Sequence, residues 1–558
     1  MSDKPFTHPE LGPHALRPRV IRKHHGDEGF LTDFRYEAPR EDPALPEVYV
    51  YTDAMSYDPG DEVQFHASCN AEDWNIQIYR DGHQPEMVHE TFGLEARFTP
   101  MPDKAYMNGC GWPVLHRWTL PADLRSGFYR VVSTCMRPDG NRFVQHHFFV
   151  VRPTPATRRG SIVMMLATGT WTAYNDWGGA NHYFGTYGPN QDEGSPILSL
   201  ERPWSRGLVW LPKGAARTVS QQKPNMGDAH RYPSKEYGYS GGWAQYYAAA
   251  GYAQFDRHFL VWAEEQGFEI DIITQTDLHF RPELLEGKSC LISCGHDEYW
   301  SWDMRKTVDG FVEGGGNFAR FGGNFLWQIR LEDDGRQQHC WKFKAPTEDP
   351  VLGTDRAHLL TTSWEGKGVE WPGASTVGVN GCHGMYASWG GFGPRGNRGF
   401  TVYRPEHWVF DGTDLRYADI FGEEAAIFGY EVDGLNYTFH QGLPYPVEEP
   451  GVPQEITILA MSPAMLYEYE HPVEGVPYYL SDSDLVGLMS LAPEDTDAAR
   501  KRYQHGSGML VHMPKGAGEV VCGGSCEWIM GLTRRDEFTM KITKNVIERF
   551  SRGSTGGT

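Results

Sequence analysis

The residues best suited to chemistry in this chain sit where apolar runs end. His296-Asp297-Glu298 follows KSCLISCG (288–295). If the backbone stays extended there, His296 and Glu298 share one face and Asp297 takes the other. An imidazole and a carboxylate on one face can share a proton, or hold a metal ion and a water. The competing reading is a strand-end turn in which Asp297 or Glu298 caps the helix beginning at Ser301; it accounts for the acidic residues but not for His296. Tyr174, in WTAYNDWGG, is flanked by tryptophans and can be read as packing. As a ligand it is a phenolate, a hard donor whose proton (pKa ~10) yields only to a strongly Lewis-acidic ion, ferric iron rather than zinc. Cys294, between Ser293 and Gly295 at a strand end, resembles in its placing the nucleophile of a metal-free Cys–His amidotransferase. Cys290 and Cys294 are separated by about 13 Å of strand, too far to share zinc. Cys522-Gly-Gly-Ser-Cys526 has no second pair at fitting spacing, so buried thiols are the simpler reading.

Three predicted strand ends must deliver these residues. SIVMMLA (161–167) is a continuous apolar run, as in a strand buried on both faces, and it leads into the Tyr174 segment. KSCLISCG leads to His296, and NFARFGG (317–323) leads to Asn324. Ligands of open α/β sheets bind beyond the carboxyl ends of strands, so Tyr174, Asn175, Asp176, His296, Asp297, Glu298 and Asn324 are expected on one rim. Helices are predicted at 255–267, with Phe259, Leu260, Trp262 and Ala263 on one side, and from a Ser301 cap through Glu313. With a strand at 269–274, this alternation implies a parallel sheet carrying helices on its faces. Further strands are expected at 425–431 and 455–460, with a covering helix at 541–552.

Upstream, residues 46–152 alternate polar and apolar positions in short runs, and Asp81-Gly82 is a hairpin signal. They read as an antiparallel β-sandwich domain. His146 and His147 are successive strand residues, point to opposite faces and do not chelate. Residues 1–45 read as an extended arm, Arg152-Pro153-Thr154-Pro155 as a stiff linker, and 158–552 as a larger α/β domain with a mainly parallel sheet. The Gly-, Pro- and Tyr-rich stretch 188–254 is long for a loop, and such loops serve as lids or substrate walls. Composition narrows the function. Lys+Arg number 51 against 73 Asp+Glu, a net charge of −22, which repels phosphate backbones and argues against nucleic acid as a partner. No apolar run reaches the ~18 residues of a membrane span. Nine cysteines and a polar, Pro-broken N-terminus point to the cytoplasm.

WTAYNDWGG, GHDEYWSWDMR, GGGNFARFGGN, FGYEVDG, GGSCEWIMGL and KNVIERF together resemble the N,N-dimethylformamidase large (beta) subunit family, from about 158 to 552. The resemblance implies a β-rich domain ahead of a glutamine-amidotransferase-like α/β domain, and a mononuclear ferric site of two tyrosines and a glutamate. By motif, Tyr174 matches the first tyrosine and Glu298 the glutamate. His296 and Asn324 match catalytic positions beside the ion, and Glu431, in GYEVDG, a further active-site glutamate. The second tyrosine should follow Arg202-Pro203, where this chain has Trp204, and indole is not a ligand. Trp204 is therefore expected at the rim, with Tyr232, Tyr237 or Tyr239 of the long insert as its substitute.

The resulting expectation is a metal-dependent hydrolase, with ferric iron (Fe3+), of amide carbon–nitrogen bonds in a small substrate. Tyr174 and Glu298 hold the ion, His296 moves protons, and Glu431 completes the site. Asn324 donates to the oxyanion, a contact worth roughly 3 kcal/mol. Trp171, Trp177 and Trp300 line an apolar pocket. The alternatives are the Cys294 amidotransferase-like enzyme and a non-catalytic protein binding a carbohydrate or a partner. Charge and arm permit a homo-oligomer or a small accessory subunit without demanding either. Glu298→Gln preserves size but removes the anionic charge a hard cation needs. Metal content and activity should fall together in this variant, and full iron retention on metal analysis would refute the ligand assignment.

Overall fold

The computed structural model describes residues 33–213, 215, 243–244, 246–384, 398–465, 496–503 and 505–552, with short strands before them at Thr7–His8, Gly12–Pro13 and Arg17–Val20. Within the expected arm, Arg17–Val20 pairs antiparallel with Asp33–Tyr36.

The alternating segments form two facing sheets. One has the order Val114–Thr119, Glu62–Cys69, Val48–Thr52. The other runs Ser56–Tyr57, Arg142–Val151, Gly127–Met136, Asp73–Arg80, Glu86–Glu95. Val50, Phe65, Trp74, Val131 and Phe149 fill the space between them. Strand Glu86–Glu95 was hidden from pattern reading because its mostly exposed residues carry no alternation. His147 is buried and accepts from the Thr52 amide, whereas His146 stacks on Trp210.

Part of the outer face of the second sheet is covered by the α/β part. Phe128 stacks on Tyr252 at 3.6 Å between ring centroids, and Phe148 packs edge-on against Trp171. Arg152, in the predicted linker, donates to Asp58 and to Asp277. That segment is therefore clamped between the sandwich and the α/β part.

The main sheet has nine strands. In order they are Ile270–Thr274, Ile162–Leu166, Cys290–His296, Asn317–Gly323, Gly518–Cys522, His505–Lys515, Thr457–Met465, Phe400–Val402 and Ile420–Phe421. The first five pair in parallel and the remainder antiparallel. The sheet is therefore mixed rather than mainly parallel. The run at 425–431 is not a strand, because Ala426 (φ 54°), Gly429 (φ 149°) and Tyr430 (φ 59°) turn the backbone into the left-handed region. Helices Asp256–Glu265 and Glu537–Ser551 cover one face with Phe259, Ile542 and Phe550, and Trp302–Glu313 covers the other with Val308 and Val312. Ser301 caps that last helix, accepting from Met304 N, so neither Asp297 nor Glu298 is needed as a cap. Ile162–Leu166 has later strands on both sides, which makes it a switch point with an open crevice at its carboxyl end.

Beneath that crevice lies a fully buried ion cluster. Arg320 donates to Asp433 at 2.6 Å and to the carbonyls of Asp297 and Gly323, while Asp433 accepts from the amide of Phe325. Removing one partner of a buried pair costs about 3–5 kcal/mol, because the other charge stays buried. Asp433→Asn should lower unfolding stability by that order in denaturant titration. Arg117→Ala, at the exposed Arg117–Glu62 pair, should leave it unchanged. Equal effects would remove the cluster's special role.

Candidate active site

Each strand end brings a different element to the crevice. After Ile162–Leu166 the chain turns at once into helix Thr168–Tyr174, and Tyr174 is its last residue. The chain then loops back: Asn181 accepts from the amides of Tyr183 and Phe184 and donates to the Tyr174 carbonyl. Arg202 fixes the same loop by donating to the carbonyls of Asn175, Trp177 and Ala180. These bonds return Tyr183 to the side of Tyr174.

Cys290–His296 ends at His296, and its Gly295 (φ +68°) lies where a Cβ would stand 2.4 Å from Phe255 Cβ. Only glycine fits that bend. His296 and Glu298 share a face, as the alternation predicts, and Asp297 turns inward to accept from Gln275 and Trp300. Asn324 follows Asn317–Gly323 at φ 63°, a left-handed conformation that asparagine tolerates. A Cβ on Gly323 would meet Glu431 O at 2.5 Å, so the glycine lets the Glu431 segment close over the rim.

The side chains converge. Tyr299 Oη donates to Tyr183 Oη at 2.7 Å, Tyr183 to Tyr174 Oη at 2.8 Å, and Tyr174 to Glu298 Oε2 at 3.1 Å. Tyr183 Oη also stands 3.1 Å from both oxygens of Glu298. His296 Nδ1 faces the Ala249 carbonyl at 2.7 Å, which directs Nε2 to Glu431 (2.7 Å) and Glu298 (3.2 Å). Asn324 Nδ2 donates to Glu431 Oε2 at 2.7 Å and lies 3.1 Å from His296 Nε2. All of these groups are buried except Tyr183, which is only partly so.

Burial disfavours a charged His296, yet the carboxylates of Glu431 and Glu298 outweigh it and lift its pKa to about 10. Burial, reinforced by Glu298, pushes the phenols of Tyr174 and Tyr183 well above their usual value. Lys342 Nζ rests 3.3 Å from the centre of the Tyr183 ring, a cation–π contact on the outer phenol. Two phenol oxygens and a carboxylate, mutually 2.8–3.1 Å apart, have the spacing of one small cation's ligands: oxygens bound at 2.0–2.1 Å in an octahedron stand about 2.9 Å apart.

The expected set Tyr174, Glu298, His296, Asn324 and Glu431 is thus brought together. Asn175 and Asp176 are not in it, since they turn to Pro203 and Ser205. Trp204 is not a rim residue but packs on Phe148 in the core. Trp171, Trp177 and Trp300 likewise belong to packed interiors, bonded to Asp256, wedged against Tyr49 and bonded to Asp297 respectively. The aromatic walls are instead Tyr183, Tyr246, Phe255 and Tyr430. Tyr232, Tyr237 and Tyr239 lie outside the described residues. Sequence reading missed Tyr183, although Asn181 ahead of it is the turn residue that would have betrayed the chain's return.

A family model described as N,N-dimethylformamidase beta subunit-like, C-terminal, matches residues 75–542. The chain belongs to that family. The dimethylformamidase-like match begins inside the sandwich, well ahead of the motifs after 158. A relative, the N,N-dimethylformamidase beta subunit of Alcaligenes sp, is 22% identical over 519 residues, covering 84% of this chain. This chain spans 58% of that relative's length. Solved structures include sporulation control protein Spo0M of Bacillus subtilis (18% identity, 20% of this chain, 50% of that one, TM-score 0.14). Murine CRIg is another (11% identity, 19% of this chain, 97% of that one, TM-score 0.14). Likenesses so small carry no argument about this dimethylformamidase-like fold.

Cys294 is fully buried, and burial together with Asp256 and Asp297 pushes its thiol well above the usual value, the reverse of an activated nucleophile. Cys294→Ser should keep most of the wild-type turnover. Complete inactivation with intact fold and metal content would restore the amidotransferase reading.

Proposed function

We propose that this chain is an amidase that hydrolyses the carbon–nitrogen bond of a small amide at a mononuclear ferric ion held by Tyr174, Tyr183 and Glu298. The observation that carries this reading is the trio of hard oxygen donors at ligand spacing inside a buried crevice. Phenolates and carboxylates are the donors a trivalent ion selects. Tyr183 supplies the second tyrosine that Trp204 does not. When bound, such an ion supplies Lewis acidity toward the amide carbonyl.

The chain's own groups do the rest. His296 presents Nε2 to the crevice, because Nδ1 is committed to the Ala249 carbonyl. Held near a pKa of about 10, His296 starts as the acid, and Nε2 gives its proton to the departing nitrogen. Glu431, 2.7 Å away, takes one from the attacking water and hands it back to Nε2, so that water and amide become acid and amine. Glu431 holds that imidazole from the side away from Ala249, and Asn324 holds Glu431 through Nδ2. This use of Nδ2 makes Asn324 a positioning residue for the Glu431–His296 pair. The walls of Tyr246, Phe255 and Tyr430 favour a small substrate with apolar substituents. Placing two carboxylates and an imidazole in the interior is costly, and a passive carbohydrate- or partner-binding surface has no use for that cost.

The parallel half of the sheet, with the site outside its carboxyl ends, is the part that an amidotransferase-like fold would contribute. The relative's name marks it as one subunit of an enzyme, and a partner chain is proposed here also. Nine free cysteines suit a reducing, cytoplasmic setting, and among the described residues no helix is long and apolar enough to cross a membrane.

The test is hydrolysis of formamide, N,N-dimethylformamide and bulkier amides by the purified chain, alongside iron analysis. Tyr183→Phe should lose most of its iron, weaken the tyrosinate-to-iron visible absorption and drop turnover at least tenfold. Trp204→Phe should keep all three. Unchanged iron and colour in Tyr183→Phe would overturn the ligand set.

A further inference from the structure

The crevice contains a second set of donors of different chemical character. A ring nitrogen of His296, a Glu431 oxygen and Cys526 Sγ all lie within 4.8 Å of one another, and all three residues are buried. Backbone contacts enforce the convergence: Cys526 N donates to Glu431 O at 3.0 Å, and Val432 bridges to Ser525. Gly323 permits it, since a Cβ there would stand 2.5 Å from Glu431 O and 2.7 Å from Cys526 N.

Two further features match the habits of metal sites. Ligating histidines donate their other ring N–H to a carbonyl or carboxylate, as His296 Nδ1 does to Ala249 O, and ligating carboxylates are themselves hydrogen-bonded, as Glu431 is by Asn324. A tetrahedral ion with bonds of 2.3 Å to sulfur and 2.0–2.1 Å to nitrogen places those ligands about 3.6 Å apart. Cys526 Sγ therefore needs to close in by about 1.2 Å or less, within reach of a side-chain adjustment.

We propose that His296, Glu431 and Cys526 form a second cation site, selective for thiophilic divalent ions such as zinc and cadmium, whose occupation blocks the enzyme. The selectivity follows from ligand softness. Nitrogen and sulfur favour these ions, while the oxygens of Tyr174, Tyr183 and Glu298 favour a hard one. Coordination replaces two protons, that of the Cys526 thiol and that on His296 Nε2, both of which leave to solvent, and it engages the Nε2 lone pair so freed. An imidazole so engaged cannot carry a proton. The inhibitory half rests on the hydrolase reading above; the binding half does not.

Cobalt(II) reports the two halves separately. Titrated into the purified full-length chain, it should give a thiolate-to-cobalt charge-transfer absorption in the near ultraviolet, saturating at one cobalt per chain. Cys526→Ser and Cys526→Ala should both lack that absorption, while retaining the wild-type circular dichroism. Cys294→Ser should keep it. Zinc should inhibit the wild type, and at least tenfold more zinc should be needed to inhibit either Cys526 variant. Absence of the absorption in the wild type, or its survival in both Cys526 variants, overturns the site. Equal zinc sensitivity in wild type and variants overturns the inhibitory role. The cobalt absorption in a protein that cleaves no amide leaves the cation site standing and sinks the hydrolase reading instead.

Discussion

The His296, Glu298, Asn324 and Glu431 side of the rim hangs on one buried guanidinium. Arg320 holds the carbonyls of Asp297 and Gly323 and the carboxylate of Asp433, and Asp433 holds the amide of Phe325. These contacts lie one residue from His296, Glu298 and Asn324 and two from Glu431. Burial works against the charge on Arg320, but Asp433 and Asp297 return more than burial removes and fix it as a cation. The strand ends are therefore set by an ion cluster that has no route to solvent, and packing alone does not decide where the side chains above it point.

Above this cluster, charge is again the governing quantity. Glu298 and Glu431 share one imidazole, so two carboxylates face one positive partner in a low-dielectric interior. Buried charge must be paired, and the surplus of acid suits the proposed cation. The phenols of Tyr174 and Tyr183 stay neutral in such surroundings until a strong positive charge arrives, because burial and Glu298 both oppose their ionisation. A bound ion reverses that balance. The proposed ligands and the imidazole are thus neighbours that share one carboxylate, Glu298.

Much of this could be read from the sequence, and what could not has identifiable causes. The apolar runs before Tyr174, His296 and Asn324 gave strands because burial on both faces leaves a continuous signature, as in Ile162–Leu166. The shared face of His296 and Glu298 followed from strand periodicity alone. Glu431 was placed in the site by its motif, yet its backbone was misread, since positive φ at Ala426 and Tyr430 leaves no trace in hydrophobic pattern. The sheet's antiparallel half escaped because short strands such as Phe400–Val402 have no helical crossover to announce them. Tyr183 escaped for another reason. Its approach to Tyr174 depends on Asn181 and Arg202 bonding to backbone, and Arg202 is 19 residues further along the chain. The tryptophans were misplaced because composition shows that aromatics exist, not which side of a strand they fill.

The stacking of Phe128 on Tyr252 has a consequence for the evolution of the chain. Tyr252 lies three residues from Ala249, whose carbonyl orients His296, so the sandwich presses on the same segment that aims the imidazole. The two halves cannot drift independently, and a substitution at Phe128 or Phe148 will be tolerated only alongside a matching one near Tyr252 or Trp171. Chimeras that join the sandwich of one relative to the α/β half of another would break this fit and misdirect the imidazole without altering any residue in the crevice. Heredity must pass on the halves together, as one unit of selection.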